Sequence, residues 1–257
     1  MLHRYFIQLS YQGTQYHGWQ IQPDLPTIQN ILNKALSTIL RENIEVTGAG
    51  RTDTGVHAKC FYAHFNSLSK LLKKENNLVF QLNGILPSDI AVQKIVQVKT
   101  EAHARFNAIS RTYEYHISQG KDPFSRDFEY YFSGKLNFET MNQAARILFD
   151  YDDFTSFSKL HTQTESNICK VTEAVWKKKG DKLIFTIKAD RFLRNMVRAI
   201  VGTLLQVGTG KIKPEDIRNI INSKKRSAAG PSAPAHGLIL TNIEYPENIF
   251  MVNQENE

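Results

Sequence analysis

The chain has 257 residues and is 41% hydrophobic, enough for one large domain or two of ordinary size around a real core. Its 32 Lys and Arg against 25 Asp and Glu leave a formal charge of +7, which favours a polyanionic partner, nucleic acid first, over an acidic protein or a neutral metabolite. The two cysteines, Cys60 and Cys169, stand far apart with no CxxC pair, which excludes a disulfide scaffold and a zinc knuckle and fits a reducing cytoplasm.

Met1 to Tyr11 alternates like a strand and lacks the basic segment and apolar block of a secretory signal, and no apolar run approaches a membrane span. Thr27 is placed to cap a helix in which Ile28, Ile31, Leu32, Ala35, Leu36, Ile39 and Leu40 form an unbroken stripe. Ile44 to Thr47 reads as a strand, and Lys59 to Asn66 as another. Between these two lies the run Gly50-Arg51-Thr52-Asp53-Thr54-Gly55-Val56-His57-Ala58, which sets one carboxylate between two cations and so holds it ionised. Gly48, Gly50 and Gly55 permit backbone angles that other residues avoid, and a loop on a rigid sheet is where catalytic groups tend to be displayed.

A second cycle begins with a strand at Arg111 to Ser118. Phe138, Met141, Ala144, Ala145, Leu148 and Phe149 keep a helical period, and a hairpin follows from Val171 to Trp176 and Leu183 to Ala189, turning at Lys178-Lys179-Gly180-Asp181. The recurrence follows split β-α-β logic. It predicts an α+β fold of two ferredoxin-like, RRM-like halves, residues 1–104 and 105–257, with a largely antiparallel central sheet flanked by helices and a cleft between the halves. A last helix, Arg191 to Gln206, carries a core face and a basic edge: at about 100° per residue, Arg191, Arg194 and Arg198 fall in a stripe roughly 60° wide. Asn248 to Glu257 is polar and reads as a loose tail.

Several chemistries fail on spacing. There is no HExxH, no cysteine with a ligand neighbour at finger spacing, no Gly-Lys-Ser or Gly-Lys-Thr and no serine elbow, so neither a metal centre nor a phosphate loop is expected. Tyr113 and Tyr115, with Arg105, Phe106 and Arg111 nearby, set rings that can stack on unpaired bases beside cations, although alternating tyrosines also describe an ordinary half-buried sheet surface. Lys59 to Phe65 lacks the pattern of an RNA-recognition-motif signature, which weakens the case for a simple binding module. A lone aspartate argues against glycoside hydrolysis, which needs a carboxylate pair. Asp53 is then a nucleophile or base acting alone, or the carboxylate of a structural Asx turn, and Arg191 and Arg194 read equally as a solvated helix face.

Together these residues resemble the TruA-type tRNA pseudouridine synthases. The likeness runs over almost the whole chain: Gly13-Thr14 and Gly18-Trp19-Gln20, the loop from Gly50 to Ala58, Arg105-Phe106 with Tyr113 and Tyr115, Phe192-Leu193 through Arg198 with Gly202, and Ala233-Pro234-Ala235-His236-Gly237-Leu238. The Asp53 loop is the most specific of these. Gln12 stands where the family commonly has Asp, and the family's tryptophan is replaced around Tyr131 and Phe132; both changes bear on packing and tRNA contact, not on the chemistry.

The resemblance implies isomerisation of uridine to pseudouridine at positions 38 to 40 of the tRNA anticodon stem-loop, with no cofactor and no metal. It implies Asp53 as nucleophile, attacking either the sugar anomeric carbon or the base ring. It makes Tyr113 the residue that stacks on the target base and helps remove a proton, Arg198 the partner of Asp53, Arg51 the residue that helps extrude the nucleotide, and Leu238 a packing contact near the base. Arg191 and Arg194 become tRNA contacts. Family members are homodimers with a long basic cleft. An enzyme acting on a stacked base must first take it out of the stack, and the positive surplus then serves the phosphates. Two other readings compete: a catalytically silent RNA-binding relative, and a nucleoside or glycoside hydrolase using the same aspartate.

Overall fold

A computed structural model describes residues 2–69, 71, 74–159 and 166–251, and the chain divides into two compact units, Met1–Ile109 with Asn242–Glu257, and Ser110–Thr241. Both mix helices with strands that pair largely antiparallel, an α+β architecture. No helix among the described residues is long and apolar enough to cross a membrane.

The first unit runs β1 (His3–Tyr11), α1 (Ile28–Leu40), β2 (Thr47–Gly48), β3 (His57–Ser67), α2 (Glu75–Ile85) and β4 (Ile90–Val98). β1 is central, antiparallel to β4 on one side and to β3 on the other, and β3 also pairs with β2. Tyr5, Ile7, Leu9 and Tyr11 alternate along β1 and are buried, as are Ile28, Leu32, Ala35 and Leu36 of α1. Thr27 occupies the N-cap position of α1, but its hydroxyl makes no cap bond. The carbonyls of Gly18 and Trp19 accept instead from Ile28 and Gln29, at 3.3 and 3.0 Å.

The strand expected at Ile44 to Thr47 shrinks to Thr47–Gly48. A polar stripe on α1 is the cause. Ser37 Oγ accepts from Ile44 N–H and Asn33 Oδ1 from Val46 N–H, both at 2.9 Å, while Gln29 Nε2 donates to the Val46 carbonyl at 2.8 Å. With those backbone groups satisfied by helix side chains, no ladder partner is needed.

The expected loose tail is partly tied down. A helical turn spans Glu247–Ile249, Lys99 N–H donates to the Ile249 carbonyl at 3.0 Å, and Met251 N–H donates to Gln97 at 3.2 Å. The rest of that tail, residues 252–257, lies outside the described residues.

The second unit runs β5 (Ser110–Ser118), β6 (Tyr130–Tyr131), α3 (Phe138–Arg146), β7 (Val171–Lys179), β8 (Lys182–Ala189), α4 (Met196–Gly208), α5 (Asp216–Ser223) and the part of β9 (Leu238–Glu244) up to Thr241. The strand order is β9-β5-β8-β7, with the two-residue β6 lying parallel to β5. The β7–β8 hairpin closes through Gly180 and Asp181, with Lys179 opposite Lys182 and Gly180 at φ +61. α3 is capped by Asn137, whose Oδ1 accepts from Glu139 and Thr140 N–H at 3.1 and 3.2 Å.

The basic helical edge expected from Arg191 does not form, because α4 starts at Met196. Asp190 Oδ1 accepts from Arg191 N–H at 2.7 Å and from Lys170 N–H at 2.8 Å, tying the segment to the start of β7. Asn195 then turns the chain at φ +66. Arg191 and Arg194 therefore sit on the approach to the helix, and of the three arginines only Arg198 is helical.

Candidate active site

In the first unit the residues around Asp53 are held by the segment from Tyr11 to Trp19. Thr52 is buried, its hydroxyl 2.9 Å from the Tyr11 hydroxyl, and its carbonyl accepts from Trp19 N–H at 3.3 Å. A side chain at Gly18 is excluded: a Cβ would stand 2.3 Å from the Thr52 carbonyl oxygen, and its φ is +84. Trp19 in turn stacks on Phe61 of β3, centroids 4.1 Å apart.

Asp53 begins a tight turn. Its carbonyl accepts from Val56 N–H at 3.1 Å, and Gly55 takes the third position at φ +78, where glycine is favoured. Of the three glycines expected to relax the backbone here, only Gly55 has a positive φ. Exposure alternates along the loop: Arg51 is exposed, Thr52 buried, Asp53 half-buried and Thr54 exposed. The loop is thus braced through Thr52 while Arg51 and Asp53 lie closer to solvent.

His57, the second basic residue of the run, is buried, and its Nδ1 accepts from Gly13 N–H at 3.0 Å. An accepting ring nitrogen is unprotonated, so His57 is a neutral brace on the glycine segment and not a second cation beside Asp53.

In the second unit the two tyrosines of β5 separate in role. Tyr113 is half-buried and meets Phe192 edge-on, centroids 5.2 Å apart. Tyr115 is completely buried and donates from its hydroxyl to the Pro234 carbonyl at 2.8 Å. Burial pushes its phenol far above the ordinary tyrosine range, with Tyr130 adding to the rise and Arg198 opposing it. Tyr115 therefore cannot stack on a base as the alternating pattern suggested. It belongs to the core.

Arg198 and Leu238 meet one segment at its two ends. Arg198 Nε donates to the Ala233 carbonyl at 2.7 Å while Ala233 N–H donates to the Arg198 carbonyl at 2.9 Å. Leu238, at the start of β9, is buried. Between them Gly237 packs against the Tyr115 ring, where a Cβ would stand 2.8 Å from Cζ. The motif Ala233-Pro234-Ala235-His236-Gly237-Leu238 is thus a strap fastened to α4 at one end and covering the β5 tyrosine at the other. Arg191 is half-buried and Arg194 exposed. Arg105 and Phe106 belong to the first unit, the guanidinium 5.5 Å from the centre of a ring that is 73% exposed.

The candidate residues thus fall into two sets, Asp53 with Arg51 in the first unit, and Tyr113, Arg198 and Leu238 in the second. The bracing residues Tyr11, Thr52 and Asn195 escaped the reading of the sequence. Thr52 and Asn195 lie inside the motifs and Tyr11 ends a predicted strand, but nothing in the sequence marks their bracing bonds, and only the fold gives them partners.

The family model described as tRNA pseudouridine synthase matches residues 8–107 and 144–246. The tRNA pseudouridine synthase A of Bacteroides thetaiotaomicron is 54% identical over 252 residues, 97% of this chain and 93% of that protein. The protein of the same name from Bacteroides fragilis is 54% identical over 248 residues, covering 96% and 98%. That of Bacillus subtilis is 39% identical over 241 residues, covering 92% and 97%.

Proposed function

The chain belongs to the TruA-type tRNA pseudouridine synthase family and is an isomerase of that class, EC 5.4.99.12; from that premise we propose that it converts uridine to pseudouridine at positions 38, 39 and 40 of the tRNA anticodon stem-loop, with Asp53 as nucleophile and without a cofactor. The observation that carries this reading is the bracing of the loop. Thr52 is held from both its hydroxyl and its carbonyl while Asp53, the next residue, remains half-buried at the head of a turn. Such bracing fixes where the Asp53 backbone sits and leaves the residue partly open to solvent, as a positioned nucleophile requires.

In the proposed reaction Asp53 attacks the target nucleotide, the glycosidic bond from the anomeric carbon to N1 breaks, and the base turns. Carbon 5 then bonds to the sugar, the bond to Asp53 breaks and frees the carboxylate, the carbon-5 hydrogen leaves as a proton and N1 gains one, so uridine and product are isomers. Arg51 helps hold the nucleotide out of its stack, Tyr113 stacks on the base and assists proton removal, Arg198 pairs with Asp53, and Leu238 packs near the base. Arg191 and Arg194 contact tRNA phosphates, which fixes position with little sequence readout.

The division of labour gives residues 1–104 the aspartate loop and residues 105–257 the stacking tyrosine and the pairing arginine. Supporting two ferredoxin-like halves are the orders β4-β1-β3, with β2 on β3, and β9-β5-β8-β7, each with its first strand in the middle. The active protein is a cytoplasmic homodimer in this reading.

The test is tritium release from tRNA carrying carbon-5 tritiated uridine, with Asp53→Asn beside the wild type. Release by the wild type and none by the variant is expected. No release from any tRNA would sink the proposal.

A further inference from the structure

Arg226 makes its hydrogen bonds without a carboxylate. It lies in a helical turn, Arg226–Ala228, just after α5. Its Nη1 donates to the Gly230 carbonyl at 3.0 Å and to Ala229 at 3.5 Å, and its Nη2 donates to Ser232 Oγ at 2.9 Å. The same Ser232 Oγ accepts from Asn195 Nδ2 at 2.6 Å, and Asn195 is the residue that turns the chain into α4. A hydroxyl oxygen has two lone pairs, and both are used.

The braced segment lies flat on α4. A Cβ at Gly202 would stand 1.7 Å from the Pro231 carbonyl oxygen, so only glycine lets the two backbones approach. Gly230 N–H donates to the buried Thr203 hydroxyl at 2.9 Å. Ala233 follows Ser232, and its carbonyl holds Arg198 Nε at 2.7 Å. Nε lies in the rigid plane of the guanidinium, so the position of that carbonyl constrains where the rest of the group points.

We propose that Arg226 is a positioning residue for the isomerisation: it locks residues 229–232 to the start of α4 and thereby fixes the Ala233 carbonyl that aims the Arg198 guanidinium. The inference rests on the reading that Arg198 serves Asp53. It assigns a role in the reaction to Arg226, Ser232 and Asn195, none of which carries chemistry.

The test is a double-mutant cycle between Arg226→Gln and Arg198→Lys, read as single-turnover tritium release from saturating tRNA and, separately, as tRNA affinity by filter binding. Arg226→Gln lowers the rate by about 10- to 100-fold, as loss of alignment does, while affinity changes by less than about threefold. In the Arg198→Lys background the same change costs less than about threefold, because no planar group remains to be aimed. An unchanged rate overturns the proposal. So do losses that multiply fully in the double variant, which mark a general structural role, and so does a fall in affinity as large as the fall in rate, which marks a plain phosphate contact. Should Arg226→Gln fail to fold, Ser232→Ala, which removes the oxygen shared by Arg226 and Asn195, runs through the same cycle under the same criteria. Asp53→Asn separates the two levels: if it keeps the wild-type rate, the reading of the site falls, whereas an inactive Asp53→Asn beside an unaffected Arg226→Gln removes only this inference.

Discussion

Gly18 leaves no room for a side chain beside Thr52: the missing Cβ would stand 2.3 Å from the Thr52 carbonyl, one residue before Asp53. The two segments are also joined by the Trp19 N–H bond to that carbonyl, while the Gly18 and Trp19 carbonyls cap α1. The first helix therefore anchors the glycine turn, and the turn anchors the aspartate loop.

Gly18→Ala must move that backbone and adopt a positive φ, which destabilises by about 1–3 kcal/mol through overpacking alone. Thermal unfolding should shift down by several degrees, at about 2–4 °C per kcal/mol for a chain of this size. Single-turnover tritium release should fall further than stability explains, because Thr52 carries Asp53 with it. The control is Gly50→Ala, where no atom outside its chain neighbours lies within 4 Å of the added carbon and φ is not positive; its melting temperature should equal or slightly exceed the wild type's. Equal destabilisation by the two variants would remove the argument for a specific clamp.

The tyrosines of β5 predict opposite outcomes for one chemical change. Tyr115→Phe removes the hydroxyl that the half-buried Pro234 carbonyl accepts from and should cost about 1 kcal/mol in urea unfolding. Tyr113→Phe keeps the ring against Phe192 and should leave stability within about 0.5 kcal/mol while lowering single-turnover rate. Stability loss concentrated in Tyr113→Phe would reverse the assignment.

Which parts of this molecule can be read without its fold follows from where each signal is stored. The α1 stripe was legible because Ile28, Leu32, Ala35 and Leu36 repeat at helical period, and β1 because its alternation persists from Tyr5 to Tyr11. α2 gave no such signal, since it buries only Leu78 and Leu82 and leaves Phe80 79% exposed. The run from Arg191 looked helical because Phe192, Leu193, Met196 and Val197 match a helical face, but the Asp190 carboxylate captures the Arg191 amide and Asn195 reverses φ first. Asp53 was visible as the centre of an unusual motif. The bonds that brace it run to Tyr11 and Trp19, and periodicity carries no information about such distant partners.

His64 supplies a pH dependence. Burial, with His103 and Arg4 nearby, lowers its pKa to about 4, and its Nδ1 accepts from Ala104 N–H at 3.1 Å, which requires the neutral ring. The unfolded chain protonates near the ordinary value of 6.5. The neutral ring therefore contributes stability that is fully present above that value, declines as the pH falls, and is gone by about pH 4. The slope is at most about 1.4 kcal/mol per pH unit. His64→Asn keeps an acceptor for Ala104 and does not titrate. Urea midpoints at pH 7 and pH 4.5 should converge in that variant more than in the wild type; an identical acid loss in both proteins assigns the effect to other groups.

Arg198 and Arg191 should part in the kinetics as they do in the fold. Arg198 is helical, with Nε held by Ala233, whereas Arg191 lies ahead of α4 with its backbone tied to Asp190. Arg198→Ala removes the proposed partner of Asp53 and should lower turnover on bound tRNA by about 100-fold or more while affinity stays nearly constant. Arg191→Ala removes a proposed phosphate contact. It should weaken tRNA binding evenly across sequences and reduce the slope of log affinity against log salt by about 1, with the rate on bound tRNA unchanged. The readouts are single-turnover rate at saturation and filter binding over a salt series. If both variants lose affinity equally and keep their salt slopes, the division between a chemical and an electrostatic arginine is wrong. If Arg198→Ala alone reduces the slope, then Arg198 is itself the phosphate contact, and the pairing with Asp53 has to be given up.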